Sequence, residues 1–447
     1  MANELFEKVP VHKAYFKLAL PVVFSMVISL VYNMVDTWFI ARTGNTDLIA
    51  GVSLGAPVFT LMIALGDIFG LGGSSVISRL FGRKLDADGK RLSVFCFYAA
   101  LVCGVLVAAL MLLLRQPILH LLGADPNTLP YVSQYYTFIV LGAPFIIVSF
   151  TPSNLLRTEG FSTASMAGTI LGSVANILLD PIFIFALGLG AAGAAIATVL
   201  GNLCADLFFV WFLLKKSKKL SVNPVGFHIS AGEIRQILAI GFPASITNFM
   251  QSFGIALMNR FLLPYGNERV AAMGIVMKVN MIAVLILVGF AFGGQPLIGY
   301  NYGAGNHSRL QKILRFAYRF ECGAALLLAA LLSLAARPMI GLFIKDPVIM
   351  DTGIPMLRMQ LAGMPFVAVV LVTTCIFQSA GKAWNAFLLS VSRQGVIFAV
   401  VILLSSFLAG YYGVLMAQAV SDLLTAVLAV FLFRNGLYRT IREEEPE

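Results

Sequence analysis

The amino-acid sequence predicts an all-α polytopic membrane protein with twelve transmembrane helices, arranged as two parallel six-helix bundles related by a pseudo-twofold axis. Three observations carry this: long unbroken apolar runs, basic flanks that alternate between them, and a second half that repeats the first. Of 447 residues, 59% are hydrophobic and only 12% charged, and the mean hydropathy is +0.90. Soluble domains carry about 25% charged residues. A bilayer core of about 30 Å needs about 20 apolar residues per helix, and the runs here are continuous rather than short and alternating, which excludes a closed barrel.

Taken in order, the spans fall near residues 14–40, 50–78, 92–114, 130–152, 162–187 and 191–214, then 234–263, 270–298, 313–335, 352–378, 384–407 and 411–433. The lysines and arginines test this count. With a cytoplasmic N-terminus, 23 of the 31 fall on cytoplasmic flanks and 7 on the opposite side, while Lys278 lies within the eighth span. That is the positive-inside asymmetry, so both termini are expected in the cytoplasm. The formal charge of +10 is thereby read as topology rather than as nucleic-acid binding. The start, "MANELFEKVPVHKAYFKLALP", leads into a run too long for a signal-peptide core, so no cleavable leader is expected. Cys96, Cys103, Cys204, Cys322 and Cys375 lie unpaired in apolar stretches and read as small core residues.

The repeat shows as a nearly constant offset. Pro21 matches Pro243 and Gly44 matches Gly266, each 222 residues on. Gly82 matches Gly303, Asp125-Pro126 matches Asp346-Pro347, Pro144 matches Pro365 and Gly160 matches Gly381, each at 221; Gly193 matches Gly413 at 220. Six spans per repeat is an even number, so both halves keep one orientation and are related by an axis along the membrane normal. The expected organisation is an N-terminal bundle over 1–214, a basic cytoplasmic linker over 215–233, and a C-terminal bundle with a short cytoplasmic tail over 234–447. Two such bundles around a cleft suit alternating access.

An ionisable residue near the bilayer centre costs at least about 2.5–3.5 kcal/mol, so each needs a reason. Asp36 lies in span 1, Asp67 in span 2, Asp180 in span 5, Asp206 in span 6, Lys278 in span 8, Glu321 in span 9 and Asp422 in span 12. At the repeat offset Asp36 falls on Met258 and Asp180 on Val401, so the halves differ in their acids. Asn176 and Asp180 are four apart and share one helix face. Pro181 has no N–H and leaves a carbonyl of the preceding turn free. A carboxylate withdrawn from water favours its neutral form and can exchange a proton; alternatively, carboxylate, amide, hydroxyl and carbonyl oxygens make a hard cage suited to Na⁺. Capping at the Pro181 kink is the structural alternative for Asp180, and an outer-end cap is that for Asp36. Asp206, Glu321 and Asp422 read more readily as packing or cap residues, and Asp67 and Lys278 stand evenly between structure and function.

Several stretches together resemble the multidrug and toxic compound extrusion (MATE) transporters, in their bacterial multidrug-exporter branch. These are "YNMVDTWFIARTG", "NLLRTEGFSTASM", "NILLDPIFIF" and "GAAGAAIATVLG" in the first half, with "GFPASITNFM", "GQPLIGYNYGAGN" and "FQSAGKAWNAFLLSVSRQ" in the second. The resemblance covers nearly the whole chain. It implies a V-shaped pair of bundles that exports amphipathic organic cations in exchange for H⁺ or Na⁺, without any cofactor and without enzymatic chemistry. It also implies a first-half coupling-ion site matching Asp36, Asn176 and Asp180, with Tyr32, Thr198 and Tyr136 (or its neighbour Tyr135) supplying further polar groups. A Na⁺ ion would sit among Asp36, Asn176, Asp180 and Thr198. Lys278, Asn248, Gln251 and Met258 are candidates for the substrate cleft. Unlike members with acids in spans 7 and 10, this chain has none there. The expected setting is the bacterial cytoplasmic membrane, with lipid as the surrounding partner, no nucleic acid, and a monomer as the working unit. The competing reading is a flippase for a lipid-linked precursor, which would call for a strongly cationic cleft; an intramembrane enzyme lacks the clustered catalytic residues it would need.

Overall fold

A computed structural model describes residues 2–225 and 228–438, so Gly226 and Phe227 of the linker and the tail beyond Tyr438 lie outside the described residues. Everything regular in the described residues is helical. In the first half the helices are α1 (Ala2–Glu7), α2 (Val11–Ala41), α3 (Thr46–Gly82), α4 (Asp86–Leu113), α5 (Arg115–Leu121), α6 (Leu129–Leu141), α7 (Ala143–Thr158), α8 (Ser162–Pro181) and α9 (Gly190–Lys215). The second half follows with α10 (Ala231–Leu262), α11 (Asn267–Gly303), α12 (His307–Leu334), α13 (Ala336–Gly341), α14 (Pro347–Ala362), α15 (Met364–Ser379), α16 (Ala383–Val391) and α17 (Ile397–Leu432).

Twelve membrane-spanning segments emerge from these helices. Eight stretches are long and apolar enough singly, and two more are the bent pairs α6–α7 (52°) and α14–α15 (42°). The stretch Ala383–Leu437 is 55 residues long and breaks at Gly410, whose φ of 55° and ψ of −129° are not helical, so it counts twice. Helix α10 is the twelfth; its polar run "SITNFMQS" keeps it short of the others' apolarity. Each bent pair breaks at a glycine followed two residues on by proline (Gly142 and Pro144, Gly363 and Pro365), where the missing N–H interrupts the helical ladder.

Backbone geometry repeats with the sequence. Gly44 and Gly266, Lys84 and Gly305, Gly160 and Gly381, and Gly190 and Gly410 all have positive φ, at offsets of 222, 221, 221 and 220. The drift therefore marks equivalent turns.

The chain forms two compact units: one from Phe24 to Ser245, the other from Asn3–Val23 together with the chain from Ile246 onward. The first helix of each repeat thus begins in the opposite unit and changes units just beyond its proline, Pro21 in α2 and Pro243 in α10. Equivalent glycines admit these lead-in segments. A Cβ on Gly72 would lie 2.4 Å from the Ile237 carbonyl oxygen, and one on Gly293 would lie 2.4 Å from Ala19 Cα. In the first unit the stretch after α9 is tied down by Ser93, whose hydroxyl donates to the Ser221 carbonyl at 3.1 Å, and by Tyr98, which donates to the Val222 carbonyl at 2.9 Å.

A candidate coupling-ion site in the first unit

The site grows from a close pair of helices. Small residues on α8 and α9 let the two backbones approach: a Cβ on Gly201 would fall 2.7 Å from the Gly172 carbonyl oxygen and 3.0 Å from Asn176 Cβ. That approach brings Asn176 to Thr198. Asn176 Nδ2 donates to Thr198 Oγ1 at 3.2 Å, and Thr198 Oγ1 donates in turn to the Ala194 carbonyl at 3.0 Å. One turn beyond Asn176, Asp180 is 0% exposed, against 2% for Asn176 and 5% for Thr198. The helix then widens after Pro181 into a π turn, Ile182–Ala186, the kind of local expansion that recurs at functional sites.

Asp36 reaches this cluster from α2 and is half-buried. Its carboxylate lies within hydrogen-bonding reach of Asp180. No donor satisfies Asp36 Oδ1, either oxygen of Asp180, or Asn176 Oδ1. Ionised carboxylates only accept, so two of them facing each other away from water require a shared proton or a cation. Among the described residues, no group of three or more His, Cys, Asp and Glu is placed to hold a metal ion. The oxygen-only donor set fits a hard monovalent cation or a proton instead.

The tyrosines sort themselves. Tyr32 and Tyr135 lie within electrostatic range of both carboxylates. The ring of Tyr135 occupies space left by Gly55, where a Cβ would be 2.4 Å from Tyr135 Cδ1. Tyr136 turns elsewhere and donates its hydroxyl to the Met111 carbonyl at 2.6 Å. Of the two adjacent tyrosines, the one facing the acids is thus Tyr135 rather than Tyr136.

The other unit is built differently at the equivalent positions. Met258 and Val401, which match Asp36 and Asp180, are buried in one apolar core with Leu262, Phe398 and Val414. Met258 is 3% exposed and packs into that core. Asn248 and Gln251 are half-buried on α10, and Lys278 is exposed on α11. Polarity in this unit gathers at an ion pair: Arg393 Nε donates to Asp422 Oδ1 at 2.9 Å, and Gln418 Nε2 donates to the same oxygen at 3.1 Å. The signal for it was present, since Gln418 and Asp422 stand four apart and match Thr198 and Asn202 at the 220 offset. Of the remaining acids, Asp206 is buried beside Ser149, and Asp67 lies within electrostatic range of Arg157.

A duplicated bundle of apolar helices with buried polar groups on broken helices defines a membrane transporter in its architecture. The MatE family model matches twice, over residues 21–182 and 243–404, two equal stretches offset by 222. The chain belongs to the MATE family of transporters, and it is accordingly a multi-pass membrane protein and not an enzyme. It is 31% identical over 437 residues to the multidrug export protein MepA of Staphylococcus aureus (strain NCTC 8325), covering 97% of this chain and 96% of that protein. To the protein of the same name from Staphylococcus saprophyticus it is 29% identical over 435 residues, with the same coverage. Among solved structures, an outward-facing multidrug resistance MATE family transporter of the MOP superfamily matches with a TM-score of 0.93 and 25% identity, over 98% of each chain. A MOP superfamily transporter from Pyrococcus furiosus, described as having a binding pocket of reverse polarity, matches with a TM-score of 0.89 and 25% identity over 96% of each.

Proposed function

We propose that this protein is a secondary antiporter of the bacterial cytoplasmic membrane, exporting amphipathic organic cations in exchange for H⁺ or Na⁺. Both termini face the cytoplasm, and the monomer is the working unit. The observation that carries the reading is the facing pair Asp36 and Asp180, with three buried oxygens that no donor among the described residues satisfies. The names of the Staphylococcus relatives support the choice of cargo.

In the exchange, the two acids take up the coupling ion from outside, which removes the like-charge repulsion between them and releases the drug. The loaded protein reorients and gives up the ion inside. The re-ionised pair then favours a cationic ligand. Asn176 holds its place through Thr198 and presents Oδ1 toward whatever ion the acids hold; Tyr32 and Tyr135 supply the polar surroundings. A one-for-one swap of H⁺ for a monovalent cation moves no net charge. Two ions per drug would add the membrane potential, worth about 2.3 kcal/mol per charge per 100 mV.

The test is ethidium export from proteoliposomes, driven separately by a proton gradient and a sodium gradient. Asp36→Asn and Asp180→Asn are each expected to abolish gradient-driven export, and the gradient that drives the wild type identifies the ion. Wild-type rates from both variants would sink the proposal.

A further inference from the structure

The exchange above leaves several buried acids without a task, Glu321 among them. Glu321 lies in the middle of α12, is 0% exposed, and among the described residues has one donor within reach: Tyr15 on α2, whose hydroxyl stands 3.4 Å from Oε1. Glu321 Oε2 has no partner. The groups around the carboxyl that can titrate are Tyr15 from α2, Cys375 from α15 and Cys322 from α12 itself, with Tyr318 of α12 in electrostatic range of both cysteines; α11 contributes the Phe290 carbonyl. Tyr318 is engaged with Thr373 at 2.8 Å. No lysine or arginine among the described residues pairs with Glu321. The Tyr15 ring is wedged among Phe16, Phe316 and Phe320, with centroids 5.3 to 6.3 Å away.

The same Tyr15 hydroxyl also stands 3.0 Å from the Phe290 carbonyl. It carries one hydrogen and can fully serve only one of these acceptors. The scaffold does not require the arrangement: at the repeat offset Glu321 falls on Ala100 and Tyr15 on Ile237, both fully buried apolar residues of the first unit.

We propose that Glu321 is a second proton-binding site, read out by Tyr15. With Glu321 neutral, its O–H donates to Tyr15 Oη, and the tyrosine donates to the Phe290 carbonyl of α11. When the proton leaves for water, Tyr15 turns its hydrogen to Glu321 Oε1 and lets go of α11. Tyr15 belongs to the lead-in segment of α2, the helix that carries Asp36 in the other unit, so protonation of Glu321 changes how that helix is held. The inference rests on the exchange reading for its purpose and for the ethidium arm of its test, while the infrared arm stands without it.

That test uses the full-length protein in lipid nanodiscs, with a pH indicator in weak buffer and ethidium as probe. Wild type and Glu321→Gln are compared for protons released per ethidium bound, and the glutamine variant is expected to release one fewer. Infrared difference spectra across a pH step are expected to show a carboxylic-acid carbonyl band that Glu321→Gln lacks. Tyr15→Phe keeps the acid but removes the donor that serves its ionised form, so it is expected to keep the band in the absolute spectrum at both pH values and to lose it from the difference spectrum. An unchanged proton count in Glu321→Gln, or an unchanged titrating band, overturns the proposal. Loss of proton release in Asp180→Asn alone, with Glu321→Gln equal to wild type, would uphold the exchange while refuting this second site.

Discussion

The two halves of this protein share a backbone and disagree about charge. In the first, Asp36 and Asp180 face each other with Asn176 beside them, and four buried oxygens go without a donor. In the second, the matching positions are Met258 and Val401 in an apolar core, and the buried Asp422 is already neutralised by Arg393 and hydrogen-bonded by Gln418. A satisfied ion pair holds a structure; an unsatisfied acid pair must borrow a proton or an ion. The contrast teaches that duplication conserved the turns and helix breaks while leaving the polar interior free to specialise.

The comparison is broken most severely by making the first half resemble the second. Asp180→Val is expected to abolish gradient-driven ethidium export. The folded state should be as stable as wild type or more so, because an apolar side chain replaces a buried acid of the pair; flux and thermal unfolding in the same preparation check both. The opposite signature is expected in the second half. Arg393→Gln strands Asp422 and should cost about 3–5 kcal/mol of stability, measured by denaturant unfolding, whereas adding Asp422→Asn should restore most of it.

A smaller effect is expected from Gly201→Ala, whose methyl meets the Gly172 carbonyl at 2.7 Å. Such overpacking costs about 1–3 kcal/mol and should weaken coupling by parting Asn176 from Thr198. The smallest effect compares the two Asp-Pro corners. Hydrogen bonds from the Thr128 N–H, then its hydroxyl, hold Asp125 below its ordinary range. Its contribution is present above the unfolded value of about 3.9 and is lost as pH falls through the lower folded value. Asp125→Ala should therefore flatten the acid limb of a melting-temperature-versus-pH curve slightly. Asp346 caps α14 by the same geometry, from the Val348 N–H at 2.8 Å.

Much of this was legible in the chain. Long apolar runs forced helices, because a membrane leaves no other way to pair the backbone. The offset of Pro21 to Pro243 announced the duplication, and Asn176-x-x-x-Asp180-Pro181 pointed to the first-half acid. Harder to read was which of two adjacent tyrosines faces the acids. Tyr135 and Tyr136 differ by about 100° around a helix, and only the packing against Gly55 decides between them. Glu321 read as an ordinary buried residue because its partner Tyr15 is 306 positions away in sequence.

By itself the sequence determined the membrane, the helical class, the repeat and the placing of two acids in one half, all of which follow from local composition and spacing. Tertiary structure alone decided that α2 and α10 begin in the opposite unit, that Asp36 meets Asp180, and that Asp422 is neutralised where Glu321 is not. Those outcomes depend on which helix faces lie against one another, and a linear pattern of apolar residues constrains helix faces only loosely.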